Sequence, residues 1–275
     1  MRVGCLGPQG TFTEEAARRY FVEEDVEWSL HPSILDTLEA LAAKQVDRVV
    51  VPIENSIEGS VTMTLDSLAL NEELFVEAEI IMPIRQNLLT VVGTNREDIR
   101  EVWSHPQALA QCRHYIHNMG AAVKNFDSTA AAAEKLAESG RTDVAAIGTL
   151  LAAENNGLEV LQAGIQDVHD NFTRFIVVRR IGQTVRSTER TILQLQFESD
   201  QPGALASVLN VFAGLQLNLS HIQSRPTRKK LGTYQFFLEV EAGWQDERMQ
   251  KAISIVQTYG HQVRVLGTMN RHYVM

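Results

Sequence analysis

Three segments of the sequence place a hydroxyl side chain where an amphipathic helix could begin. They are Thr11–Glu14, Ser104–Gln107 and Ser128–Thr129, and the first two have capping-box spacing. The unpaired N–H groups of a helix start and the positive end of its dipole bind anions. One such segment is usually only a cap. Three that follow strands of one parallel sheet predict an anion-binding site at the carboxyl ends of those strands.

Two polar loops add side chains that could act on a bound anion. In the loop 51–61 (VPIENSIEGSV), Asn55 and Ser56 follow a buried apolar run, although polar loop residues are as often plain turn formers. The segment 170–175 (DNFTRF) places Thr173 and Arg174 where a loop enters a strand. A guanidinium group can hold a carboxylate through two parallel hydrogen bonds, so Arg174 is the leading candidate for a carboxylate clamp.

Composition excludes several classes of protein. The chain has 25 basic and 34 acidic residues, a net charge of −9, which opposes nucleic-acid binding. Residues 1–180 carry −12 and residues 181–275 carry +3, which indicates two parts with separate roles. The apolar runs are far shorter than the ~20 residues of a membrane-spanning helix, and no signal-peptide pattern is present. We therefore expect a cytoplasmic protein that contacts no membrane.

Motifs for cofactors and metals are weak. Gly4, Gly7 and Gly10 do not have the spacing of a dinucleotide fingerprint, and no Walker sequence occurs. His114 and His117 lie three residues apart beside Cys112, but no further ligand is evident, so an ordinary amphipathic helix is the favoured interpretation. We expect no cofactor and no metal.

Apolar runs alternate with amphipathic stretches through the first 180 residues. This order predicts an α/β domain with a mostly parallel sheet. The predicted strands are Val3–Leu6, Val26–Leu30, Asp47–Val51, Leu88–Val92, Val102–Ser104, Val123–Phe126, Val144–Ile147 and Phe172–Val178. The predicted helices cover residues 13–21, 33–43, 61–70, 106–118, 128–139 and 149–155.

The C-terminal pattern is different. A polar segment, Arg179–Glu189, is the best linker candidate, and a strand–helix–strand–strand–helix–strand order follows it. That order is typical of an α+β ferredoxin-like fold. The predicted strands are Thr191–Glu198, Leu217–Ser224, Gly232–Glu241 and Gln262–Gly267, with helices at Gly203–Phe212 and Asp246–Tyr259 and a basic turn at Arg228-Lys229-Lys230.

The motifs together resemble a known family. GPQGTFTEEAA (7–17), VPIENSIEGSV (51–61), SHPQALAQC (104–112), STAAAAEKLAE (128–138) and DNFTRF (170–175) occur in the order found in prephenate dehydratases. QPGALASVLNVF (201–212) and NLSHIQSRP (218–226) resemble the ACT regulatory domain that follows the catalytic domain in that family. The resemblance covers nearly the whole chain.

The resemblance implies a fold and a division into domains. The catalytic domain, residues 1–180, would have the two α/β lobes of a periplasmic-binding-protein-like fold. One lobe would comprise about 1–80 and 170–180, the other about 81–169, and the cleft between them would hold the active site. The ACT domain would comprise residues 190–268. No chorismate mutase helices precede Gly7, so the resemblance is to a monofunctional enzyme.

The resemblance also implies an activity, a decarboxylating dehydration of prephenate to phenylpyruvate towards L-phenylalanine, catalysed without a cofactor. Thr173 matches the essential threonine of the family and would donate a hydrogen bond to the departing hydroxyl, while Arg174 would clamp a substrate carboxylate. The further substrate-binding residues would be Thr11, Asn55, Ser56, Ser104, Gln107, Ser128, Thr129, Asn171 and Phe175, the last mainly by packing its strand.

For the ACT domain, the resemblance implies homodimers or homotetramers that bind L-phenylalanine as an allosteric effector. The matching residues are Gly203, Ala204, Leu205, Asn218, Leu219, Gln223, Ser224, Arg225 and Pro226. Gln223 departs from the glutamate usual in the family, which removes a negative charge from the effector region.

Three alternatives remain open from the sequence. The substrate could be arogenate, which carries an amino group where prephenate has a keto group. The two-lobed domain could bind a small ligand without catalysis, and the C-terminal domain could serve only to associate subunits.

Overall fold

The computed structural model describes residues 1–182, 188–197, 201–227 and 233–274, and the chain divides into two units. The first unit comprises Met1–Val61, Ile80–Phe175 and Tyr273–Met275. The second comprises Thr62–Glu79 and Ile176–His272. The basic turn, part of the linker and the ends of two predicted strands at Glu198 and Gly232 lie outside the described residues.

The described residues form strands and helices in a nearly regular alternation. The strands are β1 (Arg2–Leu6), β2 (Glu27–His31), β3 (Arg48–Asn55), β4 (Gly59–Ser60), β5 (Leu74–Pro83), β6 (Asn87–Thr90), β7 (Glu101–Ser104), β8 (Ala122–Asn125), β9 (Val144–Gly148), β10 (Glu159–Gln162), β11 (Phe172–Arg180), β12 (Arg190–Gln196), β13 (Leu219–Pro226), β14 (Tyr234–Val240) and β15 (Gln262–Tyr273). The helices are α1 (Phe12–Tyr20), α2 (Ile34–Ala42), α3 (Thr62–Leu70), α4 (Pro106–Gln111), α5 (Arg113–Met119), α6 (Thr129–Ser139), α7 (Leu150–Asn156), α8 (Ala204–Gly214) and α9 (Glu247–Thr258).

The first unit contains two sheets. In one, β1 pairs in parallel with both β2 and β3. The other has the order β10–β6–β9–β7–β8, with β7 parallel to β8 and β9 and with β6 antiparallel to β9 and β10. Val49, Val50 and Val51 on β3 are fully buried, as the apolar run predicted. The mostly parallel α/β arrangement predicted for this part of the chain is confirmed.

Residues with hydroxyl side chains are the N-caps of helices that border these sheets. Thr11 accepts a hydrogen bond from the Glu14 N–H at 3.2 Å, and Ser128 accepts one from the Ala131 N–H at 2.9 Å. Both are N-caps of the predicted kind. Ser104 is different, because it lies inside β7 and His105 caps α4 instead.

The second unit contains the predicted ferredoxin-like order, β12–α8–β13–β14–α9–β15. Its antiparallel strands have the order β13–β14–β12–β15. Leu193 and Leu195 on one face of β12 pack into a core with Val208 and Phe212 of α8 and with residues of α9. The α+β class predicted for this part is also confirmed.

Several elements differ from the sequence prediction. No element was predicted at β5, where an alternating stretch runs into consecutive buried residues, and the short edge strand β10 was also missed. The helix predicted at 106–118 is broken at Cys112, which ends α4 and begins α5. β11 continues to Arg180, so the first two residues of the predicted linker belong to a strand.

Gly10 joins the two halves of the first unit. Its φ is +91°, and its carbonyl oxygen accepts a hydrogen bond from the Thr149 hydroxyl at 2.7 Å. A Cβ atom at this position would lie 2.9 Å from both Cα and Cβ of Ala152 on α7. Only glycine therefore allows the turn before α1 to meet the start of α7 this closely.

We expect Gly10→Ala to lower the free energy of unfolding by about 3 kcal/mol, because it combines an unfavourable φ with a steric overlap. Gly93→Ala is the matched control, since Gly93 has φ +82° and open space where its Cβ would be. Its cost should be about 1 kcal/mol. Urea unfolding of both variants measures the difference, and equal losses would show that the contact with Ala152 is unimportant.

Candidate active site

The first unit contains a cavity of about 430 Å³ that is lined by strands of one sheet and by helix starts that follow strands of both sheets. The residues come from the start of α1, from β3, β4 and the loop between them, from the segment before β6, from α4, from the start of α6, and from β11 and the residue before it. The lining comprises Phe12, Thr13, Pro52, Asn55, Glu58, Gly59, Ser60, Val61, Ile84, Gln86, His105, Gln107, Ala108, Gln111, Asp127, Ser128, Thr129, Asn171, Thr173 and Phe175.

The carboxamide of Asn55 organises one wall of this cavity. Its Oδ1 accepts hydrogen bonds from the backbone N–H groups of Ile57 at 3.0 Å and Glu58 at 3.1 Å. Backbone N–H groups can only donate, so the Oδ1 and Nδ2 positions are fixed. Nδ2 then donates to Asn171 Oδ1 at 2.8 Å and to Thr173 Oγ1 at 2.9 Å.

This arrangement determines what the Thr173 hydroxyl can do. Its oxygen already accepts from Asn55, and within the described chain its own proton has no acceptor. Thr173 lines the cavity and is 8% exposed. A bound molecule with an acceptor oxygen would therefore receive a hydrogen bond from Thr173.

A chain of side-chain amides extends from the same wall. Asn171 is almost fully buried and donates through Nδ2 to Gln111 Oε1 at 3.3 Å. Gln86 Nε2 donates to the same oxygen at 3.2 Å. Since Gln111 Oε1 accepts both bonds, its two Nε2 protons have no partner among the described residues. Gln111 lines the cavity and can donate to a ligand there.

The charge of the cavity wall is unusual for an anion site. Among its described lining residues there is no lysine or arginine, whereas Glu58 and Asp127 are acidic. Positive potential comes instead from the N-terminal ends of α1 and α6, which reach the cavity at Phe12, Thr13, Ser128 and Thr129.

Seven of the residues singled out by sequence line this cavity. They are Asn55, Gln107, Ser128, Thr129, Asn171, Thr173 and Phe175. The other four have different positions. Thr11 caps α1 and donates to the Leu6 carbonyl, and Ser56 accepts from the Phe172 N–H at 2.9 Å. Ser104 is fully buried and donates to the Ile147 carbonyl at 2.8 Å, so it braces the β7–β9 pair.

Arg174 requires a correction. Neighbouring residues of a strand point to opposite faces, and Thr173 and Phe175 occupy the face towards the cavity. Arg174 lies on the other face and forms an ion pair with Glu54 at 2.5 Å, both side chains being largely buried. The guanidinium is therefore not placed as a carboxylate clamp in the cavity.

Several lining residues were not found by sequence, among them Thr13, Gln86, His105 and Gln111. Gln111 stands four residues after Gln107 and hence on the same face of α4, a signal that was available. Gln86 had no local signal. It meets Gln111 only because the chain returns to it 25 residues later.

Other reactive groups lie away from this chemistry. Cys5 and Cys112 are buried free thiols, and burial raises the pKa of each to about 12, so both remain protonated at neutral pH. Within residues 1–182, 188–197, 201–227 and 233–274, no three His, Cys, Asp or Glu side chains cluster as a metal site would require. No helix in those ranges is long and apolar enough to span a bilayer.

Comparison with known proteins identifies the family. The prephenate dehydratase family model matches residues 3–183, and the ACT domain model matches residues 191–255. A prephenate dehydratase of Methanocaldococcus jannaschii is 36% identical over 267 residues, which cover 94% of each protein. The chain belongs to the prephenate dehydratase family. The predictions of this family and of a carbon–oxygen lyase are thereby confirmed.

Solved structures agree with the fold of a prephenate dehydratase. That of the enzyme from Arthrobacter aurescens, in complex with L-Phe, has a TM-score of 0.90 and 36% identity, covering 98% of this chain and 90% of that one. A protein described as a novel type of quorum-quenching acylase, GqqA, also has a TM-score of 0.90, with 26% identity, covering 99% of this chain and 98% of that one. The two-lobed, periplasmic-binding-protein-like class with a C-terminal ACT domain is confirmed.

The segments of the ACT domain that were expected to bind an effector lie at the start of α8 and on β13. Gly203, with φ +86°, precedes α8, and Gln223–Pro226 end β13. Arg225 does not stand free, because its Nε and Nη2 atoms donate to the two carboxylate oxygens of Asp66 on α3 at 2.9 and 2.6 Å. These hydrogen bonds raise the pKa of Arg225. Asn218 likewise donates to Glu241 at 2.7 Å.

Variants of the Arg174–Glu54 pair can distinguish two roles of Arg174: support of the cavity wall, and binding of a substrate carboxylate. We expect Arg174→Gln and Glu54→Gln to lower kcat by similar factors and to leave KM within about twofold, because each disturbs the same wall of the cavity. Steady-state kinetics of the two variants and of the double variant measure this. A KM raised about tenfold in Arg174→Gln alone would restore the role of carboxylate clamp.

Proposed function

We propose that this protein converts prephenate to phenylpyruvate with loss of carbon dioxide and water. The observation that carries the proposal is the Thr173 hydroxyl, whose oxygen accepts from Asn55 and whose proton is left for a ligand in the cavity. The reaction needs a donor of this kind where the ring hydroxyl departs.

The chemistry explains why a neutral hydroxyl suffices. Loss of the ring carboxylate and the hydroxyl makes an aromatic ring, so the product itself supplies the driving force. Threonine is a poor acid, and Thr173 therefore acts as a hydrogen-bond donor to the leaving oxygen. Asn55 holds the Thr173 oxygen in place, so the hydroxyl is oriented before substrate binds.

The two carboxylates of prephenate can be bound without a cationic side chain. The N-terminal ends of α1 and α6 border the cavity, and Gln111 adds two unpaired N–H donors. Arg174 and Glu54 support the strands β11 and β3 that carry Thr173 and Asn55.

We assign the catalytic domain to residues 1–180 and the ACT domain to residues 190–268. Within the catalytic domain, one lobe comprises about 1–80 and 170–180, and the other about 81–169. The two sheets of the first unit support the two lobes, whereas Thr62–Glu79 and the segment 176–180 fall in the second unit of the structure.

Turnover by Thr173 variants tests the proposal. Prephenate should yield phenylpyruvate, followed by its ultraviolet absorbance, and Thr173→Ala should lower kcat by about 10²–10³ while the protein stays folded. Thr173→Ser keeps the hydroxyl and should recover much of the activity. Near-normal kcat in Thr173→Ala would contradict the role given to this side chain.

The same assay separates the alternatives. A higher kcat/KM with arogenate than with prephenate would make this an arogenate dehydratase. Binding of either compound without any product would instead indicate a ligand-binding protein.

We further propose that the ACT domain binds L-phenylalanine and gives feedback control, in a homodimer or homotetramer. The motif residues Gly203-Ala204-Leu205 and Gln223–Pro226 lie at the start of α8 and along β13. The complex of the Arthrobacter aurescens enzyme with L-Phe supports this assignment.

Calorimetric titration with L-phenylalanine should give saturable heat, with D-phenylalanine as the stereochemical control. Gln223→Glu adds a negative charge to the proposed effector region, which should favour the ammonium group of the amino acid and tighten binding. Absence of heat at millimolar L-phenylalanine would indicate that the ACT domain only associates subunits. Analytical ultracentrifugation would then show the dimer or tetramer.

A further inference from the structure

The second unit contains a cavity of about 660 Å³ whose lining is rich in glutamine. It lies beside the C-terminal end of α3 and strands β12, β14 and β15. None of the motif residues assigned above to L-phenylalanine is among those lining it. The lining comprises Ala69, Leu70, Glu72, Gln194, Gln196, Thr227, Gln235, Gln257, His261, Gln262, Val263 and Arg264.

The strand pattern explains why polar side chains meet here. On β12, Leu193 and Leu195 pack against the helices, so the alternate residues Gln194 and Gln196 point to the opposite face. Gln235 joins them from the neighbouring strand β14, with which β12 pairs. Gln194 is 4% exposed and Gln235 is 8% exposed, so their amides are largely removed from bulk water.

These amides satisfy one another only in part. Gln235 Oε1 accepts from Gln194 Nε2 at 2.7 Å and from Gln196 Nε2 at 3.4 Å. Among the described residues, Gln194 Oε1 and Gln235 Nε2 then have no partner. Exchanging the oxygen and nitrogen positions of all three amides leaves Gln235 Oε1 unused as an acceptor and the Gln194 and Gln196 nitrogens unused as donors, so the cavity offers both kinds of group either way. Both amides line the cavity, so their unused acceptor and donor positions are matched to a ligand that both donates and accepts.

Charges of both signs lie around the same cavity. Arg264 donates to the carbonyl oxygens of Ala69 at 3.1 Å and Asn71 at 2.6 Å, and no carboxylate of the described chain lies within ion-pair distance of it. Glu72 supplies a carboxylate on the same lining. His261 adds a buried Nδ1 atom that has no hydrogen-bond partner.

We infer that this cavity binds a free α-amino acid with a carboxamide side chain. Arg264 would hold its carboxylate, Glu72 its ammonium group, and the Gln194–Gln235 pair its carboxamide, which offers the matching donor and acceptor. The volume lies within the ~300–1,000 Å³ of small-molecule sites. An aromatic side chain would not pair with the unused amide positions, so this site differs in specificity from that assigned to L-phenylalanine.

Calorimetry of the full-length protein with L-glutamine tests the inference. L-Glutamine should bind, and L-glutamate, which has nearly the same shape but lacks the amide donor, should bind more weakly. Gln235→Leu removes the unused donor and should lower the affinity for L-glutamine at least about tenfold. Gln250→Leu is the control, because Gln250 is exposed on α9 outside the cavity. L-Phenylalanine binding should be the same in both variants and the wild type.

Two results would overturn the site: no heat with millimolar L-glutamine, or equal weakening by Gln235→Leu and Gln250→Leu. Circular dichroism shows whether Gln235→Leu folds. If it does not, Glu72→Gln carries the test, since Glu72 is exposed and need not stabilise the fold. The affinity of Glu72→Gln for L-glutamine should fall to the affinity of the wild type for N-acetyl-L-glutamine, which lacks the ammonium group. An unchanged affinity for L-glutamine would contradict the inference.

Discussion

The hydrogen bonds from the backbone of Ile57 and Glu58 to Asn55 Oδ1 determine which side-chain atoms donate along one wall of the cavity. Because those N–H groups cannot accept, the Asn55 amide must donate towards Asn171 and Thr173. Asn171 in turn donates to Gln111, which leaves the nitrogen of Gln111 unused. A turn of the main chain thus decides which side-chain atoms remain available to a ligand. None of the side chains in this series of hydrogen bonds is charged.

A second constraint concerns charge. The chain carries −9 overall, and the cavity assigned to a dianion has acidic residues and no lysine or arginine among its described lining. Helix starts and amide donors can fill this role because their dipoles are oriented by the fold and are present before the ligand arrives. The net charge of a protein therefore says little about the sign of the ligand that a recessed site accepts.

The sequence predicted what depends on local pattern. The caps Thr11 and Ser128, the buried strand β3 and the order of elements in the ACT domain follow from spacing and alternation within short windows. Arg174 was misplaced because residue type suggested a clamp, whereas the face of β11 is set by the burial of its neighbours Thr173 and Phe175. Gln86 and the Gln194–Gln235 pair were beyond reach, since tertiary contacts between distant segments create their hydrogen bonds.

The turn at Gly10 has a mechanical consequence. Its main chain abuts the backbone of Ala152, and no side chain lies between them to be compressed or to change rotamer. The Thr149 hydroxyl adds a directed bond at the same point. A contact of this kind resists sliding of α1 past α7 more than it resists a change in the angle between them, so the cavity residues at the start of α1 keep their distance from α7.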